Sequence, residues 1–187
     1  MGGPDGLAVV DKPAGWTSHD VVARSRRLLG TRKVGHSGTL DPDATGVLLL
    51  GVGRATRLLR FTNHLPKTYT GTFVLGVETD TLDAAGEVTA THDMSAVTES
   101  DVLAAVPVFV GDIEQIPPMV SAVKVEGKRL HQLAREGKEV ERAPRPVTVH
   151  RFETAPVPGE SSVYSFEVEC SSGTYVRSLV ADLGHAL

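Results

Sequence analysis

Two segments near the end of the chain alternate between apolar and polar residues, and this alternation constrains the fold more than any other feature. Val147 to Val157 and Ser162 to Ser171 both have the period of two that is typical of a β-strand with one buried face. The second segment places four such residues on the same face, namely Tyr164, Phe166, Val168 and Cys170. The chain is therefore predicted to contain at least two long strands.

Helical patterns are interleaved with the strand patterns. Ser18 is the predicted N-cap of a helix that stops at Gly30, and the spacing Thr98-x-x-Asp101 predicts a capping box at the start of another. A third helix is predicted after Thr174, with an apolar face made by Val176, Leu179, Val180 and Leu183. Because these elements follow no strict βαβ rhythm, we predict an α+β fold with a mixed, largely antiparallel sheet flanked by helices.

The remaining predicted elements are shorter. The further strands are Gly6 to Asp11, Val47 to Gly51, Tyr69 to Asp80, a segment ending near Thr91, and Met119 to Val125. The further helices are Arg54 to His64 and Leu130 to Arg135. The segment Val34 to Gly46 is too irregular for either type and is predicted to be a structured loop.

Composition excludes several classes of protein. The chain has 187 residues, 41% of them apolar, which is enough to bury an ordinary core. Its most apolar run, Val47 to Val52, is much shorter than the roughly 20 residues of a membrane-spanning helix. The N-terminus does not have the pattern of a secretory signal, so we expect a cytoplasmic protein with no membrane association. Cys170 is the only cysteine, so no internal disulfide is possible, and no Cys/His cluster predicts a metal site.

Charge is segregated along the sequence although the net charge is only -4. Residues 1–70 hold ten Lys or Arg against five Asp or Glu, whereas residues 71–123 hold nine acidic residues and no basic one. Residues 124–151 turn basic again, with eight Lys or Arg against four Glu. These blocks are compatible with a solvated surface, or with a basic face that binds nucleic acid, and the local field matters more than the total charge.

Asp41 lies within the glycine-rich loop. An isolated aspartate in a loop usually has a structural role, since its side chain binds nearby backbone amides. Here the glycines permit tight backbone paths and close approach of another molecule, and Pro42 stiffens the next position. The loop does not have the Gly-Lys-Ser/Thr ending of a P-loop, so phosphate binding is not favoured. The sequence around Asp41 is thus suited to holding a carboxylate rigidly at a surface.

Six ordered stretches resemble one family over nearly the whole chain. The most specific is GHSGTLDPDATGVLLLGVGRATR, Gly35 to Arg57, which resembles the signature of the bacterial tRNA pseudouridine-55 synthases of the TruB type. The others are VVDKPAGWTSHDVV, KTYTGTFVLG, TDTLDAAG, SAVKVEGKRLHQLAREG and CSSGTYVRSLVADLG. The resemblance implies the pseudouridine synthase catalytic fold and isomerisation of a T-loop uridine in tRNA, with base flipping and without a cofactor or metal.

The same resemblance assigns roles to residues. Asp41 is the implied nucleophile, because an ionised carboxylate can attack and leave again. Arg177 is implied to stabilise that charge, and Tyr69 to stack on the everted base. In isolation Tyr69 would be read as a packing residue and Arg177 as a surface ion-pair partner. Tyr69 is also a candidate catalytic residue for removal of a proton from the sugar or base. Which atom Asp41 attacks, and which group takes that proton, stay open.

Further residues are implied in substrate binding. His36 resembles the histidine that fills the gap left by the flipped base, and the counterpart of Tyr175 lines the uracil pocket. Lys12 is a further candidate substrate-binding residue. Together with Pro13 it is also expected to position the catalytic loop. The basic residues that we expect to contact phosphate are Lys124, Lys128, Arg129, Arg135 and Lys138.

We expect residues 1–187 to form a catalytic domain in which residues 124–151 are a basic RNA-contacting insertion. Because the chain stops at Leu187 within a helix that family members continue, we expect this domain to be incomplete at its C-terminus and the C-terminal RNA-binding domain to be absent. The expected partner is the T-arm of tRNA, bound by a monomer that requires no protein partner. Two alternatives are a guide-RNA-dependent synthase subunit, which shares the GHSGTLDP loop, and a non-catalytic tRNA-folding module.

Overall fold

The chain forms two compact units, Met1–Leu65 and Pro66–Leu187. The structure, a computed structural model, describes residues 3–62, 64–121, 123–125, 128–130, 133, 136–137 and 140–187. Within these residues, no helix has both the length and the apolar character needed to cross a membrane.

The first unit is built on a three-stranded antiparallel sheet with the order β1-β3-β2. Its strands are β1 (Gly6–Lys12), β2 (Val34–Ser37) and β3 (Gly46–Val52). Helix α1 (Ser18–Leu28) buries Val21 and Val22 in a cluster with apolar side chains of β2 and β3. After β3 the chain turns through a 3₁₀ helix (Gly53–Leu58) into the short helix α2 (Leu59–Thr62).

The second unit contains a four-stranded antiparallel sheet with the order β4-β11-β10-β7. These strands are β4 (Lys67–Val74), β7 (Gly111–Gln115), β10 (Arg145–Pro156) and β11 (Val163–Cys170). Two small antiparallel pairs are formed by β5 (Val77–Thr79) with β6 (Val88–Thr91), and by β8 (Lys124–Val125) with β9 (Lys128–Arg129). The helical elements whose full bounds lie within the described residues are α3 (Glu99–Ala105), a 3₁₀ helix (Val106–Phe109) and α4 (Val176–Ala186).

The core of the second unit confirms the two alternating strands. Val168 and Cys170 of β11 are fully buried, and β11 pairs with β10 on one side and β4 on the other. Leu179 and Leu183 of α4 are also fully buried in the same cluster. The predicted apolar face of the last helix is therefore the face that packs on the sheet.

Four segments differ from the predicted elements. The predicted loop from Val34 contains strand β2, which has little alternation and is stabilised by pairing with β3. The predicted long strand from Tyr69 is broken at Gly76, whose φ is +86° and where a Cβ would lie 2.7 Å from the carbonyl oxygen of His92. The predicted strand from Met119 is wrong as far as Ser121, and polar strand β7 was not predicted. Of the predicted helix Leu130 to Arg135, residues 131, 132, 134 and 135 lie outside the described residues.

The helix caps were predicted in part. Thr98 and Asp101 form the reciprocal capping box predicted for α3. Helix α1 is capped by Thr17 and not by Ser18, whose hydroxyl group binds another loop. Helix α4 has Tyr175, not Thr174, at the N-cap position. Neighbouring hydroxyl residues cannot be distinguished by spacing alone.

The structure confirms the predicted α+β class, and every strand pairing among the described residues is antiparallel. The division into one catalytic domain with a basic insertion at residues 124–151 stays a prediction. The described backbone of that segment includes the β8–β9 pair.

Candidate functional site

Asp41 is exposed on the loop that joins β2 to β3 in the first unit. The carbonyl oxygen of the next residue, Pro42, accepts hydrogen bonds from the Gly15 amide at 2.9 Å and from Lys12 Nζ at 2.9 Å. The amide of Ala44 donates to the Asp41 carbonyl at 3.1 Å and closes the turn. The backbone after Asp41 is therefore held by the loop that follows β1.

Lys12 is the side chain that links these two loops. It is fully buried, and its Nζ donates to the carbonyl oxygens of Pro13 at 3.0 Å, Trp16 at 2.6 Å and Pro42 at 2.9 Å. An ammonium group has three donors, and three carbonyl oxygens occupy them here. These bonds support the expected positioning role, whereas contact of Lys12 with a substrate stays a prediction.

Ser18 holds the backbone before Asp41. The Leu40 amide donates to Ser18 Oγ at 3.0 Å, and the Ser18 hydroxyl group lies 3.4 Å from the Leu40 carbonyl oxygen. Ser18 is buried and available for this contact because Thr17 and Asp20 form the capping box of α1 instead. The residues on both sides of Asp41 are thus fixed through their main chains.

His36 lies on β2, just before the loop, and is half-buried. Its Nδ1 donates to the Gly38 carbonyl oxygen, and its ring meets the ring of His19 edge to face, with 5.1 Å between centroids. Burial lowers the pKa of His36, and the nearby His19 lowers it further, although the bond to Gly38 opposes them. The lowered pKa favours a neutral imidazole, and the bond to Gly38 fixes Nδ1 as its protonated nitrogen.

Arg177 lies in the first turn of α4 in the second unit. Its Nη1 donates to Asp83 Oδ2 at 2.7 Å and to the Thr81 carbonyl oxygen at 2.9 Å, and its Nη2 donates to the Val120 carbonyl oxygen at 3.2 Å. Its side chain is only 16% exposed, against 30% for Asp83. The guanidinium group is therefore fixed in orientation by an ion pair and by backbone acceptors.

The turn that contains Asp83 is itself well ordered by internal bonds. Asp83 Oδ1 accepts from Thr81 Oγ1 at 2.6 Å and from the Ala85 amide at 3.1 Å, which leaves Oδ2 directed at the arginine. A Cβ at Gly86 would lie 2.2 Å from Thr81 Oγ1, so the turn closes only around a glycine. The motif TDTLDAAG carried no role in the sequence, and the structure shows that it supplies the carboxylate that binds Arg177.

Gln115, at the end of β7, is a further residue that the sequence did not single out. Its Oε1 accepts from the Tyr175 amide at 2.8 Å, and its Nε2 donates to the Tyr175 carbonyl oxygen at 3.1 Å. Gln115 is only 2% exposed. These two hydrogen bonds to the main chain of Tyr175 set the position of that residue at the start of α4, two residues before Arg177.

Tyr69 lies on β4 opposite Val168 of β11 and is half-buried against the core of the second unit. The predicted phosphate-binding residues Lys124, Lys128 and Arg129 lie on the β8–β9 pair, in which Lys124 is opposite Arg129. Arg135 and Lys138 lie outside the described residues. The roles of all these residues in binding stay predictions.

The predicted site residues are therefore divided between the two units. Lys12, His36 and Asp41 belong to the first unit, whereas Tyr69, Tyr175 and Arg177 belong to the second. Hydrogen bonds hold the main chain beside Asp41 in the first unit, and the main chain of Tyr175 and the side chain of Arg177 in the second. The predicted approach of Arg177 to Asp41 joins residues of different units and stays a prediction.

Comparison with solved structures finds chains that share the fold of this one. The chain resembles the crystal structure of a Cbf5-Nop10-Gar1 complex with a TM-score of 0.72 and 32% sequence identity, over 97% of this chain and 44% of that chain. It also resembles the structure of an H/ACA RNP bound to a substrate RNA containing 2'-deoxyuridine, with a TM-score of 0.68, 27% identity and coverage of 97% and 43%.

Comparison with protein families then identifies the family. Residues 26–176 match the N-terminal domain of the TruB family of pseudouridylate synthases. This match spans well over half of the chain, so the chain belongs to the TruB family, as the sequence motifs predicted.

Similar proteins include the tRNA pseudouridine synthase B of Rhodococcus jostii, 60% identical over 97% of this chain and 60% of the relative. Those of Arthrobacter sp. and Symbiobacterium thermophilum are 55% and 54% identical, over 97% and 98% of this chain and 61% and 62% of the relatives. The chain thus spans about three-fifths of the length of these relatives.

Proposed function

We propose that this chain carries the catalytic machinery of a tRNA pseudouridine synthase that isomerises uridine 55 of the T-loop. Membership of the TruB family and identities of 54–60% to proteins named tRNA pseudouridine synthase B support the reaction and the substrate class. The observation that carries the proposal is the anchoring of Asp41, whose two neighbours are bound through their main chains by Ser18 and Lys12.

The reaction explains why a rigid carboxylate suits this site. Isomerisation breaks the bond between N1 of the base and C1′ of the ribose and forms a bond from C5 to C1′, with a proton lost from C5 and one gained at N1. The composition of the nucleotide is unchanged, so no redox partner is needed. Asp41 acts as the nucleophile on the ribose or the base, and a fixed loop reduces the entropy lost on reaching the reactive geometry.

Arg177 provides the positive charge in this mechanism. A carboxylate in a closed site loses hydration, and a guanidinium group nearby favours its charged form. The bonds to Asp83 and to two carbonyl oxygens support this role, because they orient the arginine before substrate binds. Asp83 and Gln115 are thus positioning residues for α4.

The target uridine lies in a folded RNA loop and must be everted before it reacts. We assign stacking on the everted base to Tyr69 and one wall of the uracil pocket to Tyr175. His36 occupies the gap that the base leaves, a role that its edge contact with His19 and its fixed tautomer support. Lys124, Lys128 and Arg129 contact phosphates and position the T-arm without reading its sequence.

Asp41→Ala tests the proposal, with Asp43→Ala as the matched control in the same exposed loop. Release of tritium from T-arm RNA labelled at C5 of uridine measures turnover, and a filter-binding titration measures affinity. We expect Asp41→Ala to lose turnover while binding the RNA within about threefold, and Asp43→Ala to keep both. Undiminished product with Asp41→Ala would reject Asp41 as the nucleophile.

The likeness to the Cbf5-Nop10-Gar1 complex favours a second candidate, a synthase that depends on a guide RNA. Turnover of free T-arm RNA without any guide would exclude that candidate for this chain.

A tRNA-folding assay beside the isomerisation assay separates the third possibility, a non-catalytic folding module. Folding activity that survives Asp41→Ala would belong to that module and not to the isomerase.

A further inference from the structure

A groove of about 320 Å³ lies beside the Asp41 loop within the first unit. It is lined by the turn after β1 and by one side of α1, with contributions from Gly15, Trp16, Asp20, Ala23 and Arg27. The Gly15 amide binds the Pro42 carbonyl oxygen at 2.9 Å, so the groove and the loop of the nucleophile share a wall. Its volume is at the lower end of the roughly 300–1,000 Å³ of small-molecule sites, which suits one nucleotide.

Trp16 gives the groove an aromatic surface. The residue is 40% exposed, so a substantial part of its surface is accessible to solvent. Its carbonyl oxygen accepts from Lys12 Nζ at 2.6 Å, and the same ammonium binds Pro42. The backbone that carries the indole is therefore fixed relative to the Asp41 loop, and the core does not account for the exposed ring.

Arg27 gives the other end of the groove a positive charge. It is exposed on the last turn of α1, and Arg24 and Arg26 add further charge to the same helix. Asp20 is the acidic residue of the groove, and its Oδ2 accepts from the Thr17 amide and hydroxyl group at 2.8 and 2.6 Å. Because Arg27 follows Asp20 by seven residues, about 10 Å along the helix axis, a phosphate can bind the arginine away from the carboxylate.

We propose that this groove binds a second nucleotide of the substrate RNA, one that is not isomerised, with its base stacked on Trp16 and its phosphate bound by Arg27. This inference rests on the proposed function. An exposed aromatic ring and a cation that line the same groove are the combination that binds unpaired nucleotides, since every base has a face to stack and every linkage has a charge. The charge of the unit favours RNA, because residues 1–65 hold nine Lys or Arg against five acidic residues.

Fluorescence tests the stacking directly, because Trp16 is the only tryptophan of the 187-residue chain. The Asp41→Ala variant is titrated with T-arm RNA so that binding is observed without turnover. We expect saturable quenching of the Trp16 emission, and a much weaker response to uridine monophosphate at the same concentrations. Equal quenching by the mononucleotide would indicate a free-nucleotide site and overturn the proposal.

Variants then separate stacking from folding. Trp16→Ala is expected to weaken T-arm binding about tenfold, because stacking of one base contributes affinity of that order. Trp16→Phe keeps an aromatic ring and should restore most of the lost affinity. Anisotropy of labelled RNA measures both. The loss is expected in the RNA concentration that gives half-maximal turnover, since the proposal assigns Trp16 to a nucleotide that is not isomerised. Thermal unfolding of both variants shows whether the chain still folds.

Arg27→Gln tests the phosphate contact, with Arg60→Gln as a control for an exposed arginine of the same unit on α2. Loss of one phosphate contact reduces the slope of log affinity against log salt concentration by about one. We expect that reduction for Arg27→Gln and not for Arg60→Gln. Equal slopes for the two variants would overturn the assignment of Arg27.

The outcomes distinguish this inference from the proposed function. Suppose that the unmodified chain forms product, that RNA does not quench Trp16 and that Trp16→Ala binds RNA with unchanged affinity. Nucleotide binding in the groove would then be rejected, and the proposed isomerase function would stand. RNA-dependent quenching and weaker binding by Trp16→Ala, without any product, would support RNA binding in the groove and reject the isomerase.

Discussion

The two units fix their predicted functional groups by opposite means. In the first unit the structure holds the main chain on both sides of Asp41, through Ser18 and Lys12, and leaves the carboxylate exposed. In the second unit the side chain of Arg177 is itself bound, by Asp83 and by two backbone carbonyl oxygens. The main chain beside the proposed nucleophile is thus held by bonds from neighbouring residues, whereas the proposed cation is held through its own donors.

This difference fits the roles proposed for Asp41 and Arg177. A nucleophile must reach the substrate and leave again, so its own oxygen atoms are needed for the reaction. A cation that stabilises charge acts without forming covalent bonds, and it is most effective when its orientation is set in advance. Substitutions around Asp41 are therefore expected to affect turnover more than stability, whereas those around Arg177 are expected to affect both.

Lys12→Met is expected to have the largest effect. The change removes the donors to three carbonyl oxygens, including that of Pro42, and lets the Asp41 loop shift. A displacement of about 1 Å at a reacting group costs turnover on the order of 100-fold. The free energy of unfolding should fall by only roughly 1–3 kcal/mol, because methionine also removes the cost of burying a charge. Tritium release and urea unfolding measure the two effects.

Lys33→Met is the control for the loss of a lysine, since Lys33 is exposed in the same unit. It should leave turnover of T-arm RNA and stability nearly unchanged. If Lys12→Met lost stability but kept turnover, the idea that the nucleophile is positioned through its neighbours would be wrong.

Gln115→Leu tests how the second unit holds the start of α4. It removes both hydrogen bonds between the Gln115 side chain and the main chain of Tyr175. Two hydrogen bonds of about 1 kcal/mol each predict a loss of roughly 2 kcal/mol in unfolding free energy, with a parallel fall in turnover. Faster hydrogen exchange of the Tyr175 amide is the local measurement. Normal exchange at that amide would show that Gln115 does not hold the start of α4.

Asp83→Asn removes the charge that binds Arg177 but keeps the shape of the turn. The asparagine oxygen can still accept from Thr81 and the Ala85 amide, so the loss is mainly that of the ion pair. Since both side chains are partly exposed, we expect a loss of about 1 kcal/mol in unfolding free energy, together with reduced turnover. Glu114→Gln, at an exposed position of the same unit, controls for the change in net charge. Unchanged turnover in Asp83→Asn would assign Asp83 to stability alone.

Sequence reasoning identified the elements whose residues have a strong local pattern. The alternation of β11, the apolar face of α4 and the Thr98 capping box were predicted correctly because each depends on neighbours along the chain. Strands β2 and β7 were missed because VGHS and GDIEQ have little apolar alternation, and their partners are distant in sequence. Pairing stabilised by tertiary context overrides local propensity in such segments.

The contacts around the candidate site residues could be predicted only in part. Motifs pointed to Asp41, Tyr69 and Arg177, and to Lys12 as a residue that positions the loop. They gave no sign that the carboxylate for Arg177 comes from Asp83, or that Gln115 holds Tyr175, because each contact joins residues more than 50 positions apart. The signal for Asp83 was present only as an acidic motif without an assigned role.

His36 provides the last and smallest test, because it is a side chain of the first unit that is itself fixed. Burial of its ring lowers the pKa of His36 below the ordinary value of 6.5, so below that pH the unfolded chain binds more protons than the folded one. This part of the stability is complete above pH 6.5 and is lost as the pH falls through the folded-state pKa. Urea unfolding between pH 5 and 8 should therefore show a smaller pH dependence for His36→Gln, whereas His64→Gln, at an exposed position, should match the unmodified chain. The same pH dependence in His36→Gln as in the unmodified chain would show that the neutral imidazole does not contribute to folding.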